Sequence, residues 1–341
     1  MDIGELLAFG VKNGASDMHL SAGMPPMIRV DGDMRKIDVP PMDNTTVRDL
    51  IYDIMNDKQQ KEFEEFFECD FSFEIPGLAR FRVNALNQNR GAGAVFRTIP
   101  STILSLEQIN APEIFKSIAD YPRGVVLVTG PTGSGKSTTL QRILSTLMIE
   151  RKNEIATFTV EDPPEYVIEG AQQMPVTNAN TAEERKEKFN AAIRASLRSD
   201  PDVIMIGEIR DEESAKLAFE AAMTGHQVWA TLHAVDCLTI ISRLRDIGVD
   251  EFKLYDPAVF TGLVGQRLTR ALCDDCKVPF MTAREKGEVD DELWERTLEV
   301  YNRDLEGIYT EGPGCPKCSG TGVTGRSVVA EVLLPDDGLM E

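Results

Sequence analysis

The sequence predicts an α/β protein in which a parallel sheet carries a glycine-rich loop, and a smaller α+β unit precedes this sheet. Three observations predict this fold. Apolar runs alternate with amphipathic helices after residue 112, a glycine-rich loop follows the first run, and strands of alternating polarity fill much of the preceding hundred residues. The 341 residues have room for two domains. We place these at 1–99 and 112–341, with a linker at 100–111.

The first hundred residues predict a self-contained α+β unit. Its helices are indicated by apolar residues at helical spacing, and its strands by alternation between turn residues. The predicted elements are a helix at 3–12, a strand at 18–20, a hairpin that turns at Asp31-Gly32, two helices between Asn44 and Phe67, and strands at 71–75, 79–88 and 93–99.

Arginines line one face of these last strands. Arg80 and Arg82 are two residues apart on one strand and therefore point the same way, and Arg97 lies on the next strand. A solvated sheet face explains them, because arginines favour such positions. The alternative is that they reach a nucleotide bound elsewhere.

The central motif is G-x-x-x-x-G-K-S, the phosphate-binding loop pattern. Its glycines let backbone N–H groups turn inwards around phosphates, and the next helix points its positive end at them. Lys136 is expected to reach the β- and γ-phosphates, and the Ser137 hydroxyl to bind Mg²⁺. A strand before the motif and a helix after it argue against a merely structural glycine turn. The predicted nucleotide-binding residues are Gly130, Pro131, Thr132, Gly133, Ser134, Gly135, Lys136, Ser137 and Thr138.

The elements after this loop continue the alternation of strands and helices. Continuous apolar strands between amphipathic helices predict a parallel sheet that is buried on both faces. The predicted elements are the strand IATFTVED with an extended segment to Val176, a helix from Ala182 to Ser199, the strand VIMIGEI, a helix from Glu212 to Thr224 and the strand QVWATLH.

Acidic residues and histidines flank these strands, and ligands of open α/β sheets bind where the strands end. The segment Glu161 to Glu165 follows one strand and Glu208 follows another, where Glu208 is the acid available to Mg²⁺. His226 and His233 bracket the third strand. In a wholly extended run they face opposite ways, so only one faces a nucleotide unless a turn intervenes. These histidines could sense the γ-phosphate, or they could be hydrogen-bonded structural residues.

Four of the six cysteines form two C-x-x-C pairs, Cys273 with Cys276 and Cys315 with Cys318. Two such pairs separated by a long insertion predict a closed four-sulfur Zn²⁺ site within a module at 270–325. Redox-active cysteines are the alternative. This cysteine pattern suits metal binding in a reducing compartment better than it suits a disulfide scaffold.

Composition excludes some classes of function. The formal net charge of −20 would repel nucleic acid on average. No uninterrupted apolar run approaches the length of about 18 residues that a membrane span needs, and the N-terminus lacks the basic region of a signal peptide. We therefore expect a cytoplasmic protein.

The motifs GPTGSGKSTT, EDPPE, SDPDVIMIGEIRD and TGH…TLH occur in this order. On them the chain resembles the secretion-ATPase superfamily of type IV pili and type II secretion over nearly its whole length. The resemblance implies a RecA-like P-loop ATPase domain, an N-terminal PAS-like α+β domain, and a homo-hexameric ring that uses ATP and Mg²⁺. It implies these site residues: Glu165 as the catalytic glutamate, Glu208 as the Mg²⁺- and water-positioning glutamate, His226 and His233 as the histidine box, and Arg82, Arg97 and Arg243 as arginines of the nucleotide site.

The two halves resemble different branches of this family. Residues 1–139, with GASDMHLSAG and FRVNALNQNRGAGAVFR, are similar to the PilT retraction ATPases of twitching motility. From about residue 140 the chain is more like type IVb and plasmid-encoded pilus-assembly ATPases, with EDPPEY and the tetracysteine module. A natural intermediate and an engineered fusion both fit this pattern. The resemblance also implies further helices after Glu341.

The expected function is therefore a hexameric ATPase at the cytoplasmic face of the inner membrane. It would dock on a platform protein, associate with the membrane only peripherally, and drive pilus extension, pilus retraction or type II secretion. One alternative is a VirB11-like conjugation or transport ATPase, which predicts DNA-stimulated turnover. Another is a nucleotide-dependent binding switch with negligible turnover.

Overall fold

The helices and strands of this chain form two units. The computed structural model describes residues 2–30, 32–99, 106, 109, 111–152, 154–164, 166–176, 181–302 and 304–335. The first unit comprises Met1–Leu104 and Val160–Phe189, and the second comprises Ser105–Thr159 and Asn190–Glu341. The predicted linker at 100–111 lies mostly outside the described residues, so its bounds stay a prediction.

The first unit contains a six-stranded antiparallel sheet. Its elements are α1 (Ile3–Lys12), β1 (Asp17–Ser21), β2 (Met27–Val30), β3 (Asp33–Lys36), α2 (Asn44–Tyr52), α3 (Asp57–Phe66), β4 (Glu68–Ile75), β5 (Ala79–Gln88) and β6 (Gly91–Ile99). The strands lie in the order β3-β2-β1-β6-β5-β4. The predicted helices and strands are confirmed, with ends that differ by a few residues, while Asp31 of the predicted hairpin turn lies outside the described residues.

Side-chain caps explain where two of these helices begin. The Asp2 carboxylate accepts from the Glu5 backbone N–H, and the Glu5 side chain accepts from the Asp2 N–H. Asn56 and Gln59 form the same reciprocal arrangement before α3. Each box satisfies backbone donors that a helix N-terminus otherwise leaves unpaired. The beginnings of α1 and α3 are therefore encoded locally.

Buried and half-exposed residues alternate along β5, and the buried ones form part of the core of this unit. Phe81, Val83 and Ala85 are fully buried, while the residues between them are half-exposed. Phe81 stacks on Phe73 with ring centroids 5.5 Å apart. Phe96 of β6 and Ile51 of α2 belong to the same apolar core. The helices are thus held against the sheet by burial of apolar side chains.

Phe81→Ala is expected to destabilise the first unit by about 3–5 kcal/mol, because it removes a fully buried aromatic side chain from a packed core. The measurement is urea unfolding of the full chain. Trp229 and Trp294 both belong to the second unit. Circular dichroism therefore follows both units, and tryptophan fluorescence follows the second.

Phe66→Ala is the matched control, because Phe66 is 62% exposed and its loss is expected to change stability by less than about 0.5 kcal/mol. An equal shift of the dichroism transition in the two variants would contradict the packing assigned to Phe81.

The second unit is built on a mostly parallel sheet. The elements after residue 111 are α4 (Ile114–Ala119), β7 (Gly124–Thr129), α5 (Lys136–Glu150), β8 (Thr157–Glu161), β9 (Gln172–Pro175), α6 (Ala182–Leu197), β10 (Val203–Ile206), α7 (Glu212–Met223), β11 (Gln227–Leu232), α8 (Cys237–Asp246), α9 (Glu251–Leu254), β12 (Phe260–Leu272), β13 (Val278–Pro279), α10 (Phe280–Glu285), α11 (Asp291–Val300), β14 (Tyr309–Thr310) and β15 (Val323–Leu333). The strands of the sheet lie in the order β15-β12-β7-β11-β10-β8. β8 begins in the second unit, and its last residues, Val160 and Glu161, belong with the short strand β9 to the first unit.

The central strands are buried along their whole length, as the sequence predicts. Every residue of β7, β10 and β11 is buried. β11 runs parallel to both β7 and β10, and β12 runs parallel to β7. The carboxyl ends of these strands therefore meet at one edge of the sheet, which is where a ligand site forms in such folds.

The segment between the two cysteine pairs forms a small module of its own. It has a two-stranded sheet, β13 with β14, and two helices, α10 and α11. Phe280 stacks on Trp294 with ring centroids 5.7 Å apart, and Ala283 and Val289 are buried beside them. This core is too small to stabilise a domain without a further constraint.

None of the helices within the described residues combines the length and the apolar character that crossing a bilayer requires.

Candidate nucleotide site and tetracysteine centre

The phosphate-binding loop connects the end of β7 to the start of α5. Gly130, Gly133 and Gly135 all have positive φ, at 143°, 79° and 83°. A Cβ on Gly130 would lie 2.3 Å from the backbone oxygen of Gln266, so only glycine fits there. No side chain among the described residues caps the N-terminus of α5. Its first N–H groups are left for an anion.

Lys136 is folded into this loop. Its ammonium nitrogen lies 2.8 Å from the Gly130 carbonyl oxygen and 3.2 Å from that of Pro131. The residue is only 9% exposed. Burial lowers the pKa of the Lys136 ammonium, and the nearby Glu208 carboxylate acts in the opposite direction. A buried cation with carbonyl partners is a ready binding group for a phosphate.

Glu208 and His233 meet beside this lysine. Glu208 follows β10 and His233 follows β11, and their Oε1 and Nε2 atoms are 3.0 Å apart. The other oxygen of Glu208 accepts from Arg210 Nε at 2.7 Å. Both strands end at the same edge, which explains why two residues that are 25 positions apart in sequence come together. Such a pair can hold a metal ion or orient a water molecule.

His226 lies at the other end of β11. Its Nδ1 atom is 2.9 Å from the Ala221 carbonyl oxygen and 3.1 Å from the Thr224 hydroxyl. The strand between the two histidines has six residues, which span about 20 Å. Within this unit His226 therefore has the contacts of a structural histidine. A role for it at the nucleotide site stays a prediction.

The acidic segment after β8 is described only in part. Glu161 is 5% exposed and accepts from the Gln173 side-chain amide at 3.0 Å. Asp162 lies 3.9 Å from Arg185. Glu165 lies outside the described residues, and its assignment as the catalytic glutamate stays a prediction.

Two predicted site arginines of the first unit, Arg82 and Arg97, lie beside acidic side chains. Arg82 and Arg97 are directly opposite each other on β5 and β6. Arg82 lies 3.6 Å from Asp70, and Arg97 lies 3.1 Å from Asp17. Arg243, the third predicted arginine, is exposed on α8 of the second unit. Their part in nucleotide binding stays a prediction.

The four paired cysteines converge as the sequence predicts. The sulfur atoms of Cys273, Cys276, Cys315 and Cys318 all lie within 4.8 Å of one another. The sulfur–sulfur distance is 3.7 Å for Cys273 with Cys315, 3.9 Å for Cys276 with Cys318, and 3.7 Å for Cys315 with Cys318. A tetrahedral Zn²⁺ ion with bonds of 2.3 Å requires sulfur atoms about 3.8 Å apart. The cluster therefore fits zinc.

Backbone donors prepare one of these thiols for a metal. Burial opposes ionisation of Cys318, but the N–H groups of Cys315 and Gly322, at 3.1 and 3.2 Å from its sulfur, help to lower the pKa of this thiol to about 6. Zinc binds the thiolate form of cysteine.

Sequence reasoning did not find every residue at this edge of the sheet. Arg210 contacts Glu208, and Gln266 donates its side-chain amide to the Ser134 carbonyl oxygen at 2.6 Å. The Thr129 hydroxyl contacts the turn that carries His233. No motif predicts these contacts. Those of Gln266 and Thr129 depend on which strands are neighbours, and that of Arg210 depends on the turn after β10.

Comparison with known proteins identifies close relatives. A family model described as "Type II/IV secretion system protein" matches residues 3–341. The type IV pilus retraction ATPase PilT of Pseudomonas aeruginosa is 57% identical over 247 residues, which are 72% of this chain and 71% of PilT. The type II secretion system ATPase E of Vibrio cholerae is 35% identical over 349 residues, covering 99% of this chain and 66% of that protein.

The fold has solved counterparts as well. A crystal structure of the pilus retraction motor PilT with bound ADP superimposes with a TM-score of 0.71 at 30% identity, covering 91% of this chain and 95% of that one. The match of 247 residues to the Pseudomonas protein cannot fit within the first 139 residues. Likeness to PilT therefore continues past the segment to which the sequence motifs assign it.

Proposed function

Because this chain belongs to the type II/IV secretion system protein family, we propose that it is an ATP-hydrolysing motor of a type IV pilus or a type II secretion system. The observation that carries the proposal is the convergence of Lys136, Glu208 and His233 beside a phosphate-binding loop. Relatives named as pilus and type II secretion ATPases, and the PilT structure with ADP, support it. The chain would drive pilus extension, pilus retraction or type II secretion.

In this proposal the chain's own groups bind and orient the nucleotide. Lys136 and the N–H groups of the loop would hold the β- and γ-phosphates, and Glu208 with His233 would orient the attacking water. Ser137 and Glu208 would hold Mg²⁺, which when bound neutralises charge on the phosphates. Glu165 would act as the catalytic glutamate, with Arg82, Arg97, Arg243 and His226 completing the nucleotide site as the family resemblance implies.

We assign Zn²⁺ a structural role in the module at 270–325. Four thiolates close the coordination sphere and leave no open position for a substrate, which distinguishes a structural zinc site from a catalytic one. The bound metal would join the two ends of a module whose own core is small.

The proposed assembly is a homo-hexamer at the cytoplasmic face of the inner membrane. It would dock on a platform protein and associate with the membrane peripherally. The net charge of −20 argues against a nucleic-acid partner. The alternative of a VirB11-like transport ATPase is less favoured, because the relatives reported above are pilus and type II secretion ATPases.

ATP turnover per chain is expected to rise with protein concentration as the ring forms, since the family resemblance implies an enzyme that works as a hexameric ring. The measurement is steady-state phosphate release across a concentration series, with light scattering on the same samples to follow assembly.

A DNA oligonucleotide added to the assembled protein serves as the control and should leave the rate unchanged. Stimulation by DNA would support the VirB11-like alternative. An assembled ring that binds ATP without turnover would instead indicate a nucleotide-dependent switch.

A further inference from the structure

The side chain of Thr129 lies between the phosphate-binding loop and the turn that carries His233. Thr129 is the last residue of β7 and is fully buried. Its hydroxyl accepts a hydrogen bond from the Ala234 N–H at 2.7 Å. The hydroxyl oxygen of Thr129 lies 2.9 Å from the Leu232 carbonyl oxygen. It lies 2.7 Å from the Ala234 carbonyl oxygen and donates its proton to that oxygen. One hydroxyl therefore fixes the residues on both sides of His233.

The neighbouring strand end is fixed in the same manner. The Thr231 hydroxyl donates to the Gly207 carbonyl oxygen at 2.6 Å, and the Ile209 N–H donates to the Thr231 carbonyl oxygen at 2.8 Å. Gly207 and Ile209 flank Glu208. The ends of β7, β11 and β10 are thus joined in a row, and the Glu208–His233 contact lies across the last two.

Backbone pairing alone does not fix this geometry. The turn after β11 begins beyond Leu232, where the strand ladder with β7 ends. The Ala234 N–H is half-buried and lies beyond this ladder, so the Thr129 hydroxyl supplies the partner that the ladder no longer offers.

We propose that Thr129 is a positioning residue for ATP hydrolysis, whose hydroxyl holds the His233 turn so that His233 meets Glu208 beside the bound phosphates. The inference rests on the proposed function and deepens it. Thr129 would touch neither the nucleotide nor water, and it would act through His233.

Thr129→Val tests this proposal because valine keeps the shape of threonine and lacks its hydroxyl. We expect kcat for ATP to fall by about tenfold while KM changes less than about twofold, since the loop and Lys136 remain in place. Thr129→Ser keeps the hydroxyl and should restore most of the rate. Binding of a fluorescent ADP analogue and the thermal midpoint are measured for each variant.

Thr157→Val is the matched control. Thr157 is also a buried sheet threonine, but it begins β8 and its hydroxyl contacts the Met148 sulfur at 3.0 Å. This change should leave kcat unaltered even where it lowers the thermal midpoint. A second pair, Thr129→Ala against Thr129→Ser, repeats the comparison without the additional methyl group.

A double-mutant cycle with His233→Ala shows whether Thr129 acts through the histidine. The effect of Thr129→Val should disappear when His233 is already absent. An unchanged kcat in Thr129→Val, or effects that multiply in the double variant, would overturn the inference while the wild-type enzyme still turned over ATP. Absence of turnover in the wild type would contradict the proposed function itself.

Discussion

Lys136→Ala is expected to reduce ATP turnover of the assembled protein by at least about a hundredfold. The Lys136 ammonium nitrogen lies 2.8 Å from the Gly130 carbonyl oxygen, within the phosphate-binding loop. It is largely buried, and a buried charge aimed at a transferring phosphoryl group contributes far more than the same charge in water. Alanine removes that charge and leaves the backbone of the loop unchanged.

The measurement is phosphate release at saturating ATP, with light scattering to confirm that the variant still assembles. Lys61→Ala is a suitable control, because Lys61 is exposed on α3 of the first unit and is expected to have no part in turnover. A Lys136→Ala protein that keeps half of the wild-type rate would contradict the assignment of the nucleotide site.

The loop, the central strands and the cysteine cluster could be predicted because their signals are local. Glycines at fixed spacing, continuous apolar runs and two C-x-x-C pairs each encode a geometry within a short segment. β12 was not predicted, since glycines interrupt its apolar half and arginines and threonines occupy the rest. Its position is determined by pairing with β7 and β15.

The roles of individual side chains at the sheet edge depend on strand order, which the sequence does not reveal. Thr129 meets Ala234 because β7 and β11 are neighbours, and Arg210 meets Glu208 through a turn of two residues. The two histidines illustrate the same limit. Their spacing left open which one faces the loop, and the extent of β11 places His233, not His226, beside Glu208.

The division into units also departs from the order of the chain. Residues 160–189 join the first unit, although they follow the phosphate-binding loop in sequence. The predicted boundary assumed that each domain is one continuous segment. Val176 donates to the Glu161 carbonyl oxygen at 2.9 Å, so the extended stretch after β8 returns to pair with that strand. Such a return is a long-range contact that local patterns do not encode.

Cys315→Ser is expected to abolish zinc binding, from about one ion per chain in the wild type to none, because a closed site holds the metal through all four thiolates. The Cys315 sulfur atom lies 3.7 Å from the sulfur atoms of both Cys273 and Cys318. Its loss therefore removes one of the four ligands from the middle of the cluster. The ends of the module would then be joined by the β12–β15 pairing and the Lys317–Asp275 ion pair, without the metal that supplements its small core.

The measurement combines metal analysis of the purified protein with limited proteolysis. Cleavage should appear within 270–325, while binding of a fluorescent ADP analogue by the phosphate-binding loop persists. Cys69→Ala serves as the control, because Cys69 is a buried free cysteine of the first unit outside the cluster. Its zinc content should match that of the wild type.

Wild-type protein that is purified without zinc, and that gains or loses activity as the cysteines are oxidised and reduced, would instead support a redox role. The convergence of all four sulfur atoms within 4.8 Å of one another favours zinc, since a closed zinc site uses four thiolates and a redox pair needs only two.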